Sequence, residues 1–139
     1  MERRNIPGTS PFEAIMGYCR AVVVDGHVYV AGTAPIPPDG SPPPEGAYEQ
    51  TKLCLEIIGR ALEQAGARFE HVVRSRIYII DPAYFQDVAR AHGEVFAVVA
   101  IEVAQRDHLV PEGAVPGGRP RDRRIRRWRE AVRAGAHAR

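Results

Sequence analysis

The dipeptide Asp25-Gly26 stands between Ala21-Val22-Val23-Val24 and His27-Val28-Tyr29-Val30-Ala31-Gly32. Two runs rich in β-branched and aromatic residues, joined by Asp-Gly, specify a β-hairpin. A two-residue type I′ turn needs positive φ at both central positions, and Asp-Gly supplies it at low cost. A hairpin this close to the start of a chain cannot stand alone in water. Later segments of the chain must cover one of its faces.

After the hairpin come a proline-rich loop and then two helical segments separated by a strand. Pro35, Pro37, Pro38, Pro42, Pro43 and Pro44 remove ladder donors and fix φ, so the stretch up to Gly46 is a loop. Ala47 to Ala65 predicts a helix. Ala47, Cys54, Ile58, Ala61, Leu62 and Ala65 share one face, and Gly66 is placed to cap the end. His71 to Ile80 predicts a strand through Ile77, Ile79 and Ile80. Asp81-Pro82 opens a second helix, with aspartate at the N-cap and proline at N1. Phe85, Val88, Ala89, Val95 and Phe96 are its expected buried face. Ala97 to Val103 reads as a short strand. Residues 1 to 17, broken by Pro7, Gly8, Pro11 and Gly17, read as irregular. The order β-β-loop-α-β-α-β implies an α+β fold with helices on one face of a sheet.

The 139 residues suit one ordinary domain, and a 45% hydrophobic share suffices for a core. No apolar run is long enough to cross a membrane as a helix. The N-terminus has charges without the apolar stretch of a secretory signal, so a cytoplasmic location is expected. There Cys19 and Cys54 would be reduced thiols. No Cys/His pair has zinc-ligand spacing and there is no P-loop, so neither a metal nor an organic cofactor is expected.

Charge divides the chain. Arg119 to Arg139 contains nine arginines against Asp122 and Glu130, a balance of +7, while the remainder carries −5. Pro111, Gly113, Pro116, Gly117, Gly118 and Pro120 make a linker ahead of that tail. We therefore expect a domain over residues 1–110 and a linker with an Arg-rich tail over 111–139. Within the tail, Arg121 to Ala134 has a narrow apolar stripe of Ile125, Trp128 and Val132, too little to dock firmly.

Six segments, in order, are similar to one known family. They are Gly17-Tyr18-Cys19-Arg20-Ala21-Val22, Val28-Tyr29-Val30-Ala31-Gly32-Thr33, Ala47-Tyr48-Glu49-Gln50-Thr51, Ala61-Leu62-Glu63-Gln64-Ala65-Gly66-Ala67, Val72-Val73-Arg74-Ser75-Arg76-Ile77-Tyr78-Ile79-Ile80-Asp81 and Ala91-His92-Gly93-Glu94-Val95-Phe96. Together they resemble the RidA (YjgF) family over about residues 8–96. The resemblance implies a chorismate-mutase-like fold, two helices on one face of the sheet, and a homotrimer with ligand clefts between subunits. It also implies hydrolytic deamination of reactive enamines and imines such as 2-aminoacrylate (2-iminopropanoate), without metal or cofactor.

The carry-over of site residues is partial. Tyr18 matches the family tyrosine that reaches into the cleft, and Gly32 and Thr33 match the segment whose backbone lines it. Beyond Phe96 the chain departs from the family. Family members carry an arginine there that binds the substrate carboxylate, in an Arg-Pro-Ala or Pro-Ala-Arg-Ser setting, and no such motif is present. Val99 to Ala104 resembles the family's last strand, which would put Glu102 in the place of the glutamate near the reactive carbon. A deletion or a change of reading frame near residue 97 would each account for the departure.

Three functions are compatible with these residues. The leading one is a RidA-like hydrolytic deaminase, either active or impaired by loss of the arginine. The second is a non-catalytic trimer that binds small carboxylates or a partner protein in the same clefts. The third is RNA binding through the Arg-rich tail, with Trp128 stacking on a base. Charge runs are usually solvated faces, so nucleic acid is not the expected partner. Arg106, close after Glu102, is a further clamp candidate that reads more simply as a solvated side chain.

Overall fold

A computed structural model describes residues 1–107. The hairpin is present, with Asp25 at φ 47° and Gly26 at φ 78°, as a type I′ turn requires. Its strands are β2 (Ala21–Val24) and β3 (His27–Val30), antiparallel, with Ala21 opposite Val30 and Val24 opposite His27. A strand that the sequence did not announce, β1 (Arg3–Ile6), pairs antiparallel with β2 and makes a three-stranded sheet of order β1-β2-β3. A short helix, α1 (Phe12–Met16), comes after it. The expectation of an irregular N-terminus is therefore corrected.

The principal helix, α2, covers Ala47–Ala65, the predicted bounds, and ends on Gly66 in the left-handed conformation at φ 83°. It lies across the sheet. Ala61 and Ala65 join Ile6 and Ala21 in a buried cluster, against which Val23, Val28 and Val30 pack. Small residues at 61 and 65 let helix and sheet approach closely. The N-terminal strand also serves the helix end, since Arg4 donates through Nη1 to Gln64 O and through Nη2 to Ala65 O, both at 3.0 Å. A cation on the last carbonyls of a helix satisfies orphan acceptors and complements the macrodipole.

The second half forms a separate two-stranded sheet. A 3₁₀ turn at Phe69–His71 leads into β4 (Arg74–Ile79), so the strand is shorter at both ends than His71 to Ile80. Asp81 caps, and Pro82 begins, a 3₁₀ turn (Pro82–Tyr84), and α3 (Phe85–Phe96) continues from it. In α3 the buried residues are Val88, Ala91 and Phe96, so Ala91 takes the inward position expected of Ala89, which is exposed. The stretch after α3 corrects the expected strand. Ala97 to Val99 turn on from the helix, Val98 is exposed, and Ala100 sits at φ 53°. The strand β5 covers Glu102–Asp107 and runs parallel to β4, with Arg74 opposite Glu102.

The two sheets share a helical layer through the packing of α2 on α3. Ser75 on β4 meets His92 on α3, Oγ to Nε2 at 3.0 Å, and the His92 ring lies 4.5 Å from that of Phe96. On the other face of the strands Tyr29 and Tyr78 are exposed, with Val22 and Val24 half-buried between β1 and β3. No helix among the described residues is long and apolar enough to cross a membrane. The linker and tail, residues 111–139, lie outside the described residues.

Candidate functional site

The hairpin ladder extends one step past its strands: Ala31 N–H donates to Arg20 O at 3.0 Å. That places Arg20 opposite Ala31, and the Arg20 side chain turns back onto the same strand end. Its Nη2 donates to Ala31 O and to Gly32 O, both at 2.8 Å. Thr33 Oγ1 also donates to Ala31 O, at 3.1 Å. From the helical layer, the Cys54 thiol donates to Thr33 O at 3.5 Å. Gly17, left-handed at φ 67°, closes α1 and turns the chain into half-buried Tyr18, directly ahead of β2. Hence Gly32 and Thr33, expected as cleft residues, gather with Arg20 and Cys54 at one end of β3.

The electrostatics of this node are uneven. Burial pushes the Cys54 thiol up to about 11, although the Arg20 charge pulls the other way. It is a neutral hydrogen-bond donor at physiological pH, not a nucleophile. Cys19 likewise donates its thiol to a carbonyl, Ala21 O at 3.2 Å. Arg20 forms no ion pair among the described residues, and its Nε is buried without a hydrogen-bond partner there. Gly32 has an ordinary φ, and a Cβ built on it would meet nothing within 4 Å. Neither backbone strain nor crowding requires a glycine at 32, and the space beside it is open.

Glu102 is elsewhere. It begins β5 in the other sheet, is largely exposed, and pairs with Arg74 at 3.3 Å. No hydrogen bond or ion pair joins it to Tyr18, Gly32 or Thr33 among the described residues. Arg106 lies on the same strand, opposite Tyr78. A second polar cluster ties the helices together: Tyr48 Oη donates to Glu94 at 2.8 Å, Lys52 pairs with Glu94 at 3.0 Å, and Arg90 stacks over the Tyr48 ring at 4.1 Å. The hydrogen bond from Tyr48 and then that from Lys52 hold the Glu94 carboxyl below its usual range. An open groove of about 540 Å³ between Leu55, Phe69 and Val95 lies beside this cluster and contains none of the β3-end residues. Among the described residues no group of three or more His, Cys, Asp and Glu side chains is placed to hold a metal.

Comparison with known proteins gives this arrangement its context. The family model described as Endoribonuclease L-PSP matches residues 8–108. A RutC family protein of Pyrococcus abyssi is 34% identical over 106 residues, spanning 70% of this chain and 84% of that one. The 2-iminobutanoate/2-iminopropanoate deaminase of Capra hircus is 33% identical over 95 residues, or 67% and 69% of the two chains. A Mycobacterium tuberculosis protein described as a member of the YjgF family superposes with a TM-score of 0.69 at 32% identity, covering 81% of this chain and 89% of that one.

Proposed function

We propose, for a chain that belongs to the RidA/YjgF family, that it hydrolyses small reactive imines and enamines of the 2-aminoacrylate class. The reaction adds water to the C=N carbon and then expels ammonia, leaving a 2-oxo acid. The observation that carries the reading is the β3 end, where Gly32 leaves open space beside a fixed guanidinium and the Thr33 hydroxyl oxygen. Thr33 Oγ1 and the Cys54 thiol spend their hydrogens on Ala31 O and Thr33 O, which fixes the strand end, and the Thr33 hydroxyl oxygen keeps lone pairs that accept from a water or a leaving amine.

The site needs more than one subunit. Glu102 lies in the other sheet and pairs with Arg74, with no hydrogen bond or ion pair to Thr33 among the described residues, so its proposed part, holding the attacking water or passing a proton to the amine, is assigned to delivery from a neighbouring subunit. The helix-free face of Val22, Val24, Tyr29 and Tyr78 is what a homotrimer would cover. Glu102 would have to leave Arg74 to serve, and that exchange costs little because the pair is exposed.

A second reading, a trimer that binds small carboxylates without turning them over, is favoured by the missing arginine motif. Losing a desolvated charge-assisted carboxylate contact costs about 2 to 5 kcal/mol, or on the order of 30- to 4000-fold in rate. The experiment generates 2-aminoacrylate in situ from serine and monitors pyruvate and ammonia with and without the protein, with RNA as a control substrate because the family model is described as an endoribonuclease. We expect a clear acceleration over spontaneous hydrolysis, smaller than that of relatives that keep the arginine, and a mass near three chains by light scattering. No acceleration at any protein concentration would leave the non-catalytic reading.

A further inference from the structure

We propose that Arg20 is the carboxylate-binding residue of this chain, holding a small 2-oxo or 2-imino acid against the Gly32–Thr33 end of β3. The inference rests on the reading of that strand end as the ligand site. It adds a residue that neither the sequence motifs nor the comparisons single out.

Three observations carry it. First, the guanidinium is oriented: two carbonyls on one short stretch, Ala31 O and Gly32 O, hold Nη2 at 2.8 Å each. Fixing one nitrogen of a rigid planar group fixes the directions of the other N–H bonds. Second, its bonding is incomplete. Among the described residues its five N–H donors meet only these two carbonyls, Nε is buried without a partner, and no carboxylate balances the charge. A partly buried cation that ends on neutral acceptors is costly unless an anion completes it. Third, there is room at the right place. The open space at Gly32 lies beside the carbonyl that Arg20 binds. A carboxylate approaching Nη1 there would come within reach of the polar groups around Thr33.

Arg74, Arg76 and Arg90 are poorer candidates. Arg74 and Arg90 have acidic partners in Glu102 and Asp87, and Arg76 points from the exposed face of β4.

The experiment uses the full-length protein and 2-oxobutanoate, a stable carboxylate with the substrate's anionic end. Binding is measured by calorimetry for wild type, Arg20→Gln and Arg20→Lys. In wild-type protein labelled with ¹⁵N, the arginine Nε–H resonances are tracked through the same titration. We expect saturable binding, a loss of about 30-fold or more in Arg20→Gln, and partial retention in Arg20→Lys, which keeps the charge but not the fork. The Arg20 Nε–H resonance should shift with the same midpoint as the calorimetric curve. Because Arg20→Gln also gives up the two carbonyl contacts, that resonance decides the matter if the variant does not fold. An unmoved Arg20 resonance, equal affinity in a folded Arg20→Gln protein, or no wild-type binding overturns the proposal. Arg20-dependent binding without turnover would overturn only the deaminase reading. Turnover indifferent to Arg20 would overturn only this inference.

Discussion

The neutrality of Cys54 can be tested directly, and it separates a thiol that donates a hydrogen bond from one that attacks. Burial raises its pKa from an ordinary 9.0 to about 11, with Arg20 opposing. At pH 8 about 0.1% would be thiolate, against about 9% for an ordinary thiol, roughly a 100-fold deficit. A more basic thiolate is intrinsically a better nucleophile, which returns about 6- to 10-fold. The net expectation is alkylation by iodoacetamide roughly 10-fold slower than for a free cysteine derivative, before any loss to limited access. The pH dependence is the sharper signature. The Cys54 rate should climb about tenfold per pH unit from 8 to 10, whereas the reference levels off above about 9. Timed alkylation with peptide mapping by mass spectrometry measures both. A Cys54 rate matching the reference at pH 8, or a plateau before pH 9.5, would refute the reasoning and make the thiol a candidate nucleophile. The same shift bears on stability. Between pH 9 and 11 the unfolded chain releases a proton that the folded chain retains, so stability should fall as pH rises through that window.

Two further outcomes test the packing that supports the site. In Gly59→Ala, helix propensity alone favours alanine by about 1 kcal/mol; but the new Cβ would stand 3.0 Å from the Phe69 ring, which is held edge-on by Phe96 at 5.4 Å. Overpacking of this kind costs about 1 to 3 kcal/mol, so denaturant titration should show net destabilisation; a gain in stability would mean that Phe69 is free to move. Burial lowers the His92 pKa below its usual 6.5, so the unfolded chain takes up its proton first and stability should decline as pH falls from 6.5 towards 5. His92→Gln should flatten that limb of the melting-temperature profile measured by circular dichroism, and an unchanged limb would show that His92 does not drive it.

Much of the fold was legible because its signals are local. The Asp25-Gly26 turn states its own φ requirements, and α2 announces its apolar face within nineteen residues and its stop at the glycine that follows them. The strand β1 was invisible for the opposite reason. Arg3, Arg4 and Asn5 carry no β signal, and one of the contacts that hold the strand reaches carbonyls sixty residues away. The sequence after Phe96 misled because Val98, Val99 and Ile101 have high β propensity. The chain there needs a turn instead, and a strand parallel to β4 can begin only after it. Ala100 takes the left-handed position where a glycine would be usual, so the marker that stops α2 is missing from the end of α3.

The candidate site was legible in part, and the missing part was within reach. Resemblance marked Tyr18, Gly32 and Thr33 but passed over Arg20, which in the string Tyr18-Cys19-Arg20-Ala21 is only another arginine in an arginine-rich chain. The hairpin supplies what the string hides. Once Asp25-Gly26 fixes the turn, Ala21 must face Val30, and one further step sets Arg20 opposite Ala31. The turn that first constrained the fold therefore also brings a guanidinium with no ion pair among the described residues to the strand end of the proposed site. Glu102 had no such constraint. Its position depends on which neighbour β5 chooses, and a short strand after a turn does not encode that choice locally. The proposed site draws on both halves of the chain, and only the side that a hairpin register determines is readable in sequence.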